Sequence, residues 1–267
     1  MSAILSFAID TAREAGALLH KYVHQHLDVK HKSTEIDLVT EADVASERLI
    51  VAAIRERFPD HTIMAEEGQG DMQELVGEAE QLWLVDPLDG TVNYAHGLPV
   101  WGVSLALAER GQVVVAVSYN PLPDEMFWAE RGQGAWLNGK RIHVSGAGRL
   151  RDALVATGFA YRRATLQENN LAEFNAMMPR VQGVRRAGAA VIDLAHLACG
   201  RLDAYWEMHL QPWDWAAGWL LVQEAGGVVT DMRGEPWALQ KNNVAASNGQ
   251  ALHQKMLEVL QEAGQMR

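Results

Sequence analysis

The spacing of apolar residues changes along the chain, and each change predicts a different element. Residues 3–24 carry apolar or small side chains at Ile4, Ala8, Ala12, Ala15 and Leu19, the spacing of a helix with one buried face. A second helix is expected over 41–58, with Ala42, Leu49, Ala53 and Ile54 inward and Pro59 ending it. Short runs rich in Val, Leu, Trp and Tyr follow at 61–65, 82–85, 103–108, 113–119 and 125–128. Turn signals such as Arg110-Gly111 and Pro121-Leu122-Pro123-Asp124 divide them. Asn138-Gly139, between strand-like 135–137 and 141–144, is a tight hairpin signal. Residues 1–150 therefore predict helices packed on an antiparallel sheet.

From Leu154 the rhythm becomes strand then helix. Strand-like 154–157 precedes helical 166–178, 184–186 precedes 189–199, and 203–206 precedes 215–225. Two more strands, 228–230 and 244–246, precede a helix over 250–263. Such alternation predicts an α/β layer. No flexible linker marks residue 150, so residues 1–150 and 151–267 are expected to share an interface as one structural unit.

Composition narrows the class. The 267 residues suit one large domain or two small ones of roughly 100–200 residues. With 48% hydrophobic and 21% charged residues, disorder, collagen and coiled coil are excluded. A net charge of −11 argues against non-specific binding to nucleic acid or an anionic membrane. The single cysteine, Cys199, permits no internal disulfide and no cysteine zinc cluster, which suits a reducing compartment. The N-terminal pattern is not that of a signal peptide, and the uncharged run 94–108 is too short and polar to span a bilayer. A soluble cytoplasmic protein is expected.

The candidate chemistry lies in four acidic segments. In Trp83-Leu84-Val85-Asp86-Pro87-Leu88-Asp89-Gly90-Thr91 an apolar strand runs into two carboxylates three residues apart. Pro87 fixes one backbone angle and Gly90 permits a sharp turn, so Asp86, Asp89 and the Leu88 carbonyl can face one point. Those oxygens suit a hard cation such as magnesium, although Pro-x-Asp-Gly is also ordinary turn chemistry. Ala65-Glu66-Glu67-Gly68 ends another strand and could equally be an exposed acidic loop. In Asp37-Leu38-Val39-Thr40-Glu41-Ala42-Asp43, Thr40 and Asp43 fit a helix cap, which leaves Asp37 unexplained. Trp213-Asp214-Trp215-Ala216-Ala217-Gly218 puts an acid at a helix start, an N-cap by the simplest account. A carboxylate between two large aromatics nevertheless needs a compensating partner.

In this order, these segments resemble the inositol monophosphatase family, among the lithium-sensitive, magnesium-dependent phosphatases. The block Asp86 to Thr91 followed by Asn93-Tyr94, together with Trp213 to Gly218, carries the resemblance, which runs from about Ala8 to Ala263 and is closest to the bacterial branch. It implies an α/β (α+β) fold, a layered α-β-α-β-α sandwich shared with fructose 1,6-bisphosphatase. It implies Glu66, Asp86, Asp89 and Asp214 as metal ligands with the Leu88 carbonyl, holding two or three Mg2+ ions that Mn2+ or Ca2+ can replace in binding. Asp37 and Thr91, with Glu66, would position and activate the attacking water. Gly90 and Thr91 amides would contact phosphate beside Asp89 and Asp214. Glu207 would bind substrate hydroxyls, and Gly188, Ala189 and Ala190 would line the pocket. Lys32 sits where the family often has a lysine near the site. Departures from the family pattern fall at Ala65, Gly68, Ala189 and Gln211, and Ala189 removes a hydroxyl many relatives carry.

Five gathered carboxylates would repel or take up protons unless divalent cations balance them, and the same ions would activate water on an anionic ester. The expected reaction is hydrolysis of myo-inositol 1-phosphate or similar polyol phosphates. Fructose 1,6-bisphosphate, histidinol phosphate and 3′-phosphoadenosine 5′-phosphate are alternative substrates. A different class of role, as an accessory to RNA polymerase and antitermination factors, is implied by the bacterial branch. The family also implies a homodimer, with Arg186 a candidate at its interface. His20, His24 and His26 fit a solvated helix end better than a metal site, Cys199 a core position, and Gly132-Gln133-Gly134 lacks a dinucleotide fingerprint.

Overall fold

Alternating side chains on each strand feed two different cores, and this builds the layers. The computed structural model describes residues 1–23, 29–32, 34, 37–68 and 79–265. Helix α1 (Ala3–Tyr22) leads to a short antiparallel pair, β1 (Val29–His31) and β2 (Leu38–Thr40), and then to α2 (Glu41–Arg57). Strand β3 (Thr62–Ala65) pairs in parallel with β4 (Gln81–Asp89). A five-residue helix, α3 (Thr91–Ala95), follows β4. Strands β5 (Gly102–Glu109), β6 (Gln112–Asn120), β7 (Glu125–Glu130), β8 (Ala135–Leu137) and β9 (Lys140–Ile142) then complete an antiparallel meander. The seven strands lie in sequence order. Asn138 (φ 48°) and Gly139 (φ 77°) close the last hairpin, both left-handed as a type I′ turn requires.

The second sheet takes β10 (Leu154–Thr157), β11 (Gly183–Arg185), β12 (Ala204–Met208), β13 (Val228–Thr230) and β14 (Asn243–Ser247) in the order β11-β10-β12-β14-β13. Strand β10 is parallel to β11 and β12, while β14 is antiparallel to β12 and β13. Helices α4 (Leu171–Met177), α5 (Ala190–Ala198), α6 (Pro212–Glu224) and α7 (Gln250–Gln265) belong to this half.

Strand parity sets the stacking. Trp83 and Val85 join Val103, Leu105 and Val117 beneath α1 and α2. Leu82 and Leu84, on the opposite face of β4, join Ala106, Phe127, Leu194 of α5 and Trp215 of α6. The same middle core takes Ala156, Tyr205, Val244 and Ala246 from the second sheet. Their neighbours Val155, Ala204, Trp206 and Ala245 face away, against Met177 of α4 and Leu252, Met256 and Leu260 of α7. The layers are therefore helix, sheet, helix, sheet, helix, as expected.

Several boundaries differ from the sequence expectation. The inward stripe of α2 is Ala42, Asp43, Ser46, Ile50 and Ile54, while Leu49 and Ala53 are half-buried. Two polar residues enter the stripe because they bond to the site described below. The helix expected over 166–178 begins only at Leu171, because Asn170 is left-handed (φ 67°) and its amide is engaged with Thr157 and Gly158. The helix expected from 215 begins at Pro212, which needs no N–H donor there. His24 and His26 lie outside the described residues. No helix among the described residues is long and apolar enough to cross a membrane.

Candidate active site

A cavity of about 670 Å³ opens where both sheets and α5 and α6 meet. Asp37, Glu66, Asp86, Leu88, Asp89, Gly90, Thr91, Gly188, Ala189, Ala190, Glu207 and Asp214 all line it. Residues far apart in sequence thus reach one space.

The acidic turn is built by a bulge. Asp86 pairs with Ser104 and Asp89 with Gly102, so β4 has one residue more than β5 across that stretch. The extra residue lets both carboxylates leave the ladder on the cavity side. Leu88 N donates to Asp86 Oδ1 at 3.1 Å. Gly90 then turns the chain with φ 86°, and a Cβ there would sit 2.9 Å from the Val100 carbonyl oxygen. Asn93 ties this turn to the segment before α5, donating to Val100 O at 2.7 Å and Ala187 O at 2.9 Å.

Helix α2 clamps the turn from the other side. Thr40 and Asp43 form a capping box, with Thr40 N 2.8 Å from Asp43 Oδ2 and Ala42 N 3.2 Å from Thr40 Oγ1. One turn on, Ser46 Oγ donates to Pro87 O at 2.8 Å. The free oxygen of Asp43, Oδ1, accepts from Thr91 Oγ1 at 2.9 Å, and Leu88 O lies 3.1 Å from the same hydroxyl. The partner of Thr91 is therefore Asp43, not Asp37 as expected from the resemblance. The cap that explained Asp43 in the sequence uses only one of its oxygens. Asp37 lines the cavity, with its backbone carbonyl accepting from Lys32 N.

The remaining acids come from other elements. Glu66 follows β3, its N–H held by Val85 O at 3.2 Å. Asp214 stands at the third position of α6, and its Oδ2 accepts from Gln211 N at 2.7 Å. Gln211 is thus the N-cap, and Asp214 completes the box rather than capping the helix itself. Asp89 Oδ2 accepts from Val191 N in the first turn of α5 at 2.7 Å. Glu207, on β12, accepts from the Tyr205 hydroxyl. Lys32 Nζ donates to Glu66 Oε1 at 2.9 Å and also to Glu67.

Electrostatics set these acids apart. Desolvation and the neighbouring Glu66, Asp89 and Asp214 charges push Asp86 well above the carboxylate range. Asp214 is pushed up in the same way, by desolvation and Glu66. Asp89 rises to about 8, chiefly by desolvation, against the pull of the Val191 N–H. Glu207 rises to about 7 by desolvation, only partly offset by Tyr205. Desolvation would lower Lys32, but the Glu66 and Glu67 charges outweigh it and its pKa ends raised. The set is one of surplus, poorly compensated negative charge with hard oxygen donors, which fits divalent cations. Among the described residues, no group of three His, Cys, Asp or Glu side chains lies close enough together to hold an ion.

Sequence reasoning missed three contributors. Asp43 was visible only as a cap. Tyr161, from the loop after β10, reaches the cavity, where desolvation and the Asp89 charge raise its phenol pKa. Asp193 lies in the first turn of α5 and lines the cavity at 3% exposure. Its signal in the sequence was an acid within the otherwise apolar run Ala190-Val191-Ile192-Asp193-Leu194-Ala195.

A model of the inositol monophosphatase family matches residues 1–265. The Nus factor SuhB of Pseudomonas aeruginosa is 45% identical over 252 residues, covering 93% of this chain and 92% of that protein. The inositol-1-monophosphatase of Synechocystis is 42% identical over 259 residues, covering 96% and 88%. The crystal structure of the extragenic suppressor protein suhB from Bartonella henselae superposes with a TM-score of 0.89 at 38% identity, covering 97% of this chain and 98% of that one.

Proposed function

The chain belongs to the inositol monophosphatase family, and from that premise we propose that it is a magnesium-dependent phosphomonoesterase acting on myo-inositol 1-phosphate or a similar polyol phosphate. The observation that carries this reading is the convergence of Glu66, Asp86, Asp89, Asp214 and the Leu88 carbonyl on one cavity, beside the Thr91–Asp43 pair. Glu66, Asp86 and the Leu88 carbonyl would hold one ion, and Asp86, Asp89 and Asp214 a second. When bound, such ions neutralise phosphate oxygens, acidify water and stabilise the leaving alkoxide.

The chain's own residues supply the proton path. The Thr91 hydroxyl proton is directed at Asp43 Oδ1 and Leu88 O. Its oxygen can then only accept, so it takes a proton from the attacking water and turns the water's lone pair toward phosphorus. Asp43 receives the proton relayed through Thr91. Desolvation raises the Asp43 pKa against the hydrogen bonds from Thr40, which makes it a better base. The Gly90 and Thr91 amides contact the phosphate, and Glu207 takes a substrate hydroxyl.

A panel of phosphomonoesters assayed with magnesium, with and without lithium, tests this reading. Magnesium-dependent turnover highest on a polyol phosphate and lowered by lithium is expected. Absence of turnover on every ester at saturating magnesium would overturn it. A second reading, an accessory role in transcription antitermination, is favoured by the relative named Nus factor SuhB. It predicts co-purification with RNA polymerase, and a clean absence of polymerase in a pull-down would remove it.

A further inference from the structure

Asp193 is an acid in a helix that has no need of one. All nine residues of α5 except His196 are buried, and Asp193 is buried with them. Other buried acids here have donors: Asp43 takes bonds from Thr40 and Thr91, and Asp231 from Arg233 N and Glu235 N. Among the described residues, no hydrogen bond or ion pair reaches the Asp193 carboxylate. The first turn of a helix favours negative charge, but that does not satisfy oxygens removed from water. The Val191 N–H of that turn is already given to Asp89. The direction left to Asp193 is the cavity it lines.

Across that part of the cavity stands Glu207, fixed from two sides. Tyr205 donates its hydroxyl to one carboxylate oxygen. The Glu207 carboxylate also lies flush against Gly158, where any Cβ would overlap it. Gly158 is held in turn by Asn170 Nδ2, 2.7 Å from its carbonyl oxygen. The Glu207 charge bears on Asp193, and Arg186 is the cation that offsets both.

We propose that Asp193 is a specificity residue that, with Glu207, accepts hydroxyl groups of the substrate, so that the site selects phosphate monoesters of polyols over esters without remote hydroxyls. This rests on the phosphatase reading above. A neutral O–H donor fits better than a second cation, because Arg186 already supplies positive charge and Tyr205 already shows the wall accepting an O–H. A polyol hydroxyl in place gives the Asp193 carboxylate a donor. An ester without hydroxyls leaves the carboxylate without one.

The test compares wild type, Asp193→Asn and Asp193→Ala on myo-inositol 1-phosphate, 4-nitrophenyl phosphate and an amino-alcohol phosphate. Circular dichroism and thermal melts check the fold of each variant. The ratio of kcat/KM for the polyol ester to that for the aryl ester is expected to fall about 10- to 100-fold in Asp193→Ala, and less in Asp193→Asn, which keeps one accepting oxygen, with the loss carried by KM. An unchanged ratio, or an equal loss on both esters, would overturn the proposal while leaving the phosphatase reading intact. A wild-type preference for the amino-alcohol ester that the variants lose would overturn hydroxyl recognition in favour of cation binding. A wild type inactive on all three would overturn the phosphatase reading and this proposal with it.

Discussion

Asp86, within β4, and Asp231, directly after β13, are both buried, yet they are treated in opposite ways. At the corner beyond β13, Asp231 Oδ1 accepts from Arg233 N at 2.9 Å and Glu235 N at 2.8 Å, and Oδ2 accepts from Lys241 Nζ. Burial works against its charge, but Lys241 and the two amides prevail and its pKa lies below the ordinary value. Asp86 has one backbone donor, Leu88 N, and acids on its other sides, so its pKa lies far above. The first is a closed structural carboxylate. The second is a carboxylate left open for something the chain does not itself provide. Burial alone does not separate them, since they are 6% and 2% exposed. The sign and number of the donors does.

The largest expected effect breaks the open end. Asp89→Asn keeps an oxygen for Val191 N and removes one of the crowded charges. Magnesium-dependent hydrolysis should fall by about a thousandfold or more, while the metal-free protein melts at a slightly higher temperature. Magnesium should then raise the melting temperature less than in wild type. Retained turnover at saturating magnesium would remove Asp89 from the reaction, and a collapsed fold would show that its charge is structural.

The open end was largely legible in the sequence, the closed corner hardly at all. Asp86, Asp89 and Asp214 were visible because strand and helix signals run directly into them, and a turn with Pro87 and Gly90 has few ways to point. Asp43 was seen only as half of what it does, because a capping box is a local pattern and its second oxygen is spent on Thr91, 48 residues away. Asp37, expected beside Thr91, lines the same cavity, but the Thr91 hydroxyl is bonded to Asp43. The layered fold followed from periodicity, since Trp83 and Leu84 must face opposite ways whatever lies beyond. Helix starts did not follow so well. Asn170 ends a turn because Thr157, Gly158 and Trp206 need its amide, and no local propensity encodes that. Asp231 was passed over although its backbone donors, Arg233 N and Glu235 N, lie close along the chain, whereas His253 carried no pattern because its partner Thr230 comes from a distant strand.

The two regions should also respond to pH with opposite slopes. Acids whose folded pKa is raised, such as Asp89 at about 8 against 3.8, keep protons that the unfolded chain has released. Their contribution is present at low pH and is lost as pH rises towards 8. At the closed corner His253, 3% exposed, sits with Nε2 2.9 Å from Thr230 Oγ1 and Nδ1 3.1 Å from Ser247 Oγ. Thr230 directs its own proton at Asp231 O, so Nε2–H donates to Thr230. Desolvation lowers this imidazole from 6.5 to about 4. The unfolded chain takes the proton first, so stability falls as pH drops from 6.5 towards 4, by about 3 kcal/mol at completion. Denaturant titrations at pH 4, 6 and 8 should show magnesium stabilising most at pH 8, with proton release on binding. His253→Gln should flatten only the acid limb. Magnesium binding with proton uptake, or an acid limb unchanged in His253→Gln, would contradict this assignment of the slopes.

The smallest expected effect is at Asp231, and it divides the closed corner into its parts. Asp231→Asn retains an oxygen for the Arg233 and Glu235 amides and loses only the ion pair with Lys241. That lysine side chain is 28% exposed, so water screens the pair and the loss should be about 1 kcal/mol. Asp231→Ala also abandons the two amides and the turn closed by Gly234 N on Asp231 O at 3.0 Å. Its cost should reach about 3 kcal/mol. Denaturant midpoints measure the difference, and the kinetics of ester hydrolysis should not follow it, because the corner touches none of the cavity acids. Equal losses in the two variants would mean that Lys241, not the backbone, satisfies this carboxylate. The contrast with Asp86 would then rest on one counter-charge rather than on a closed shell of donors.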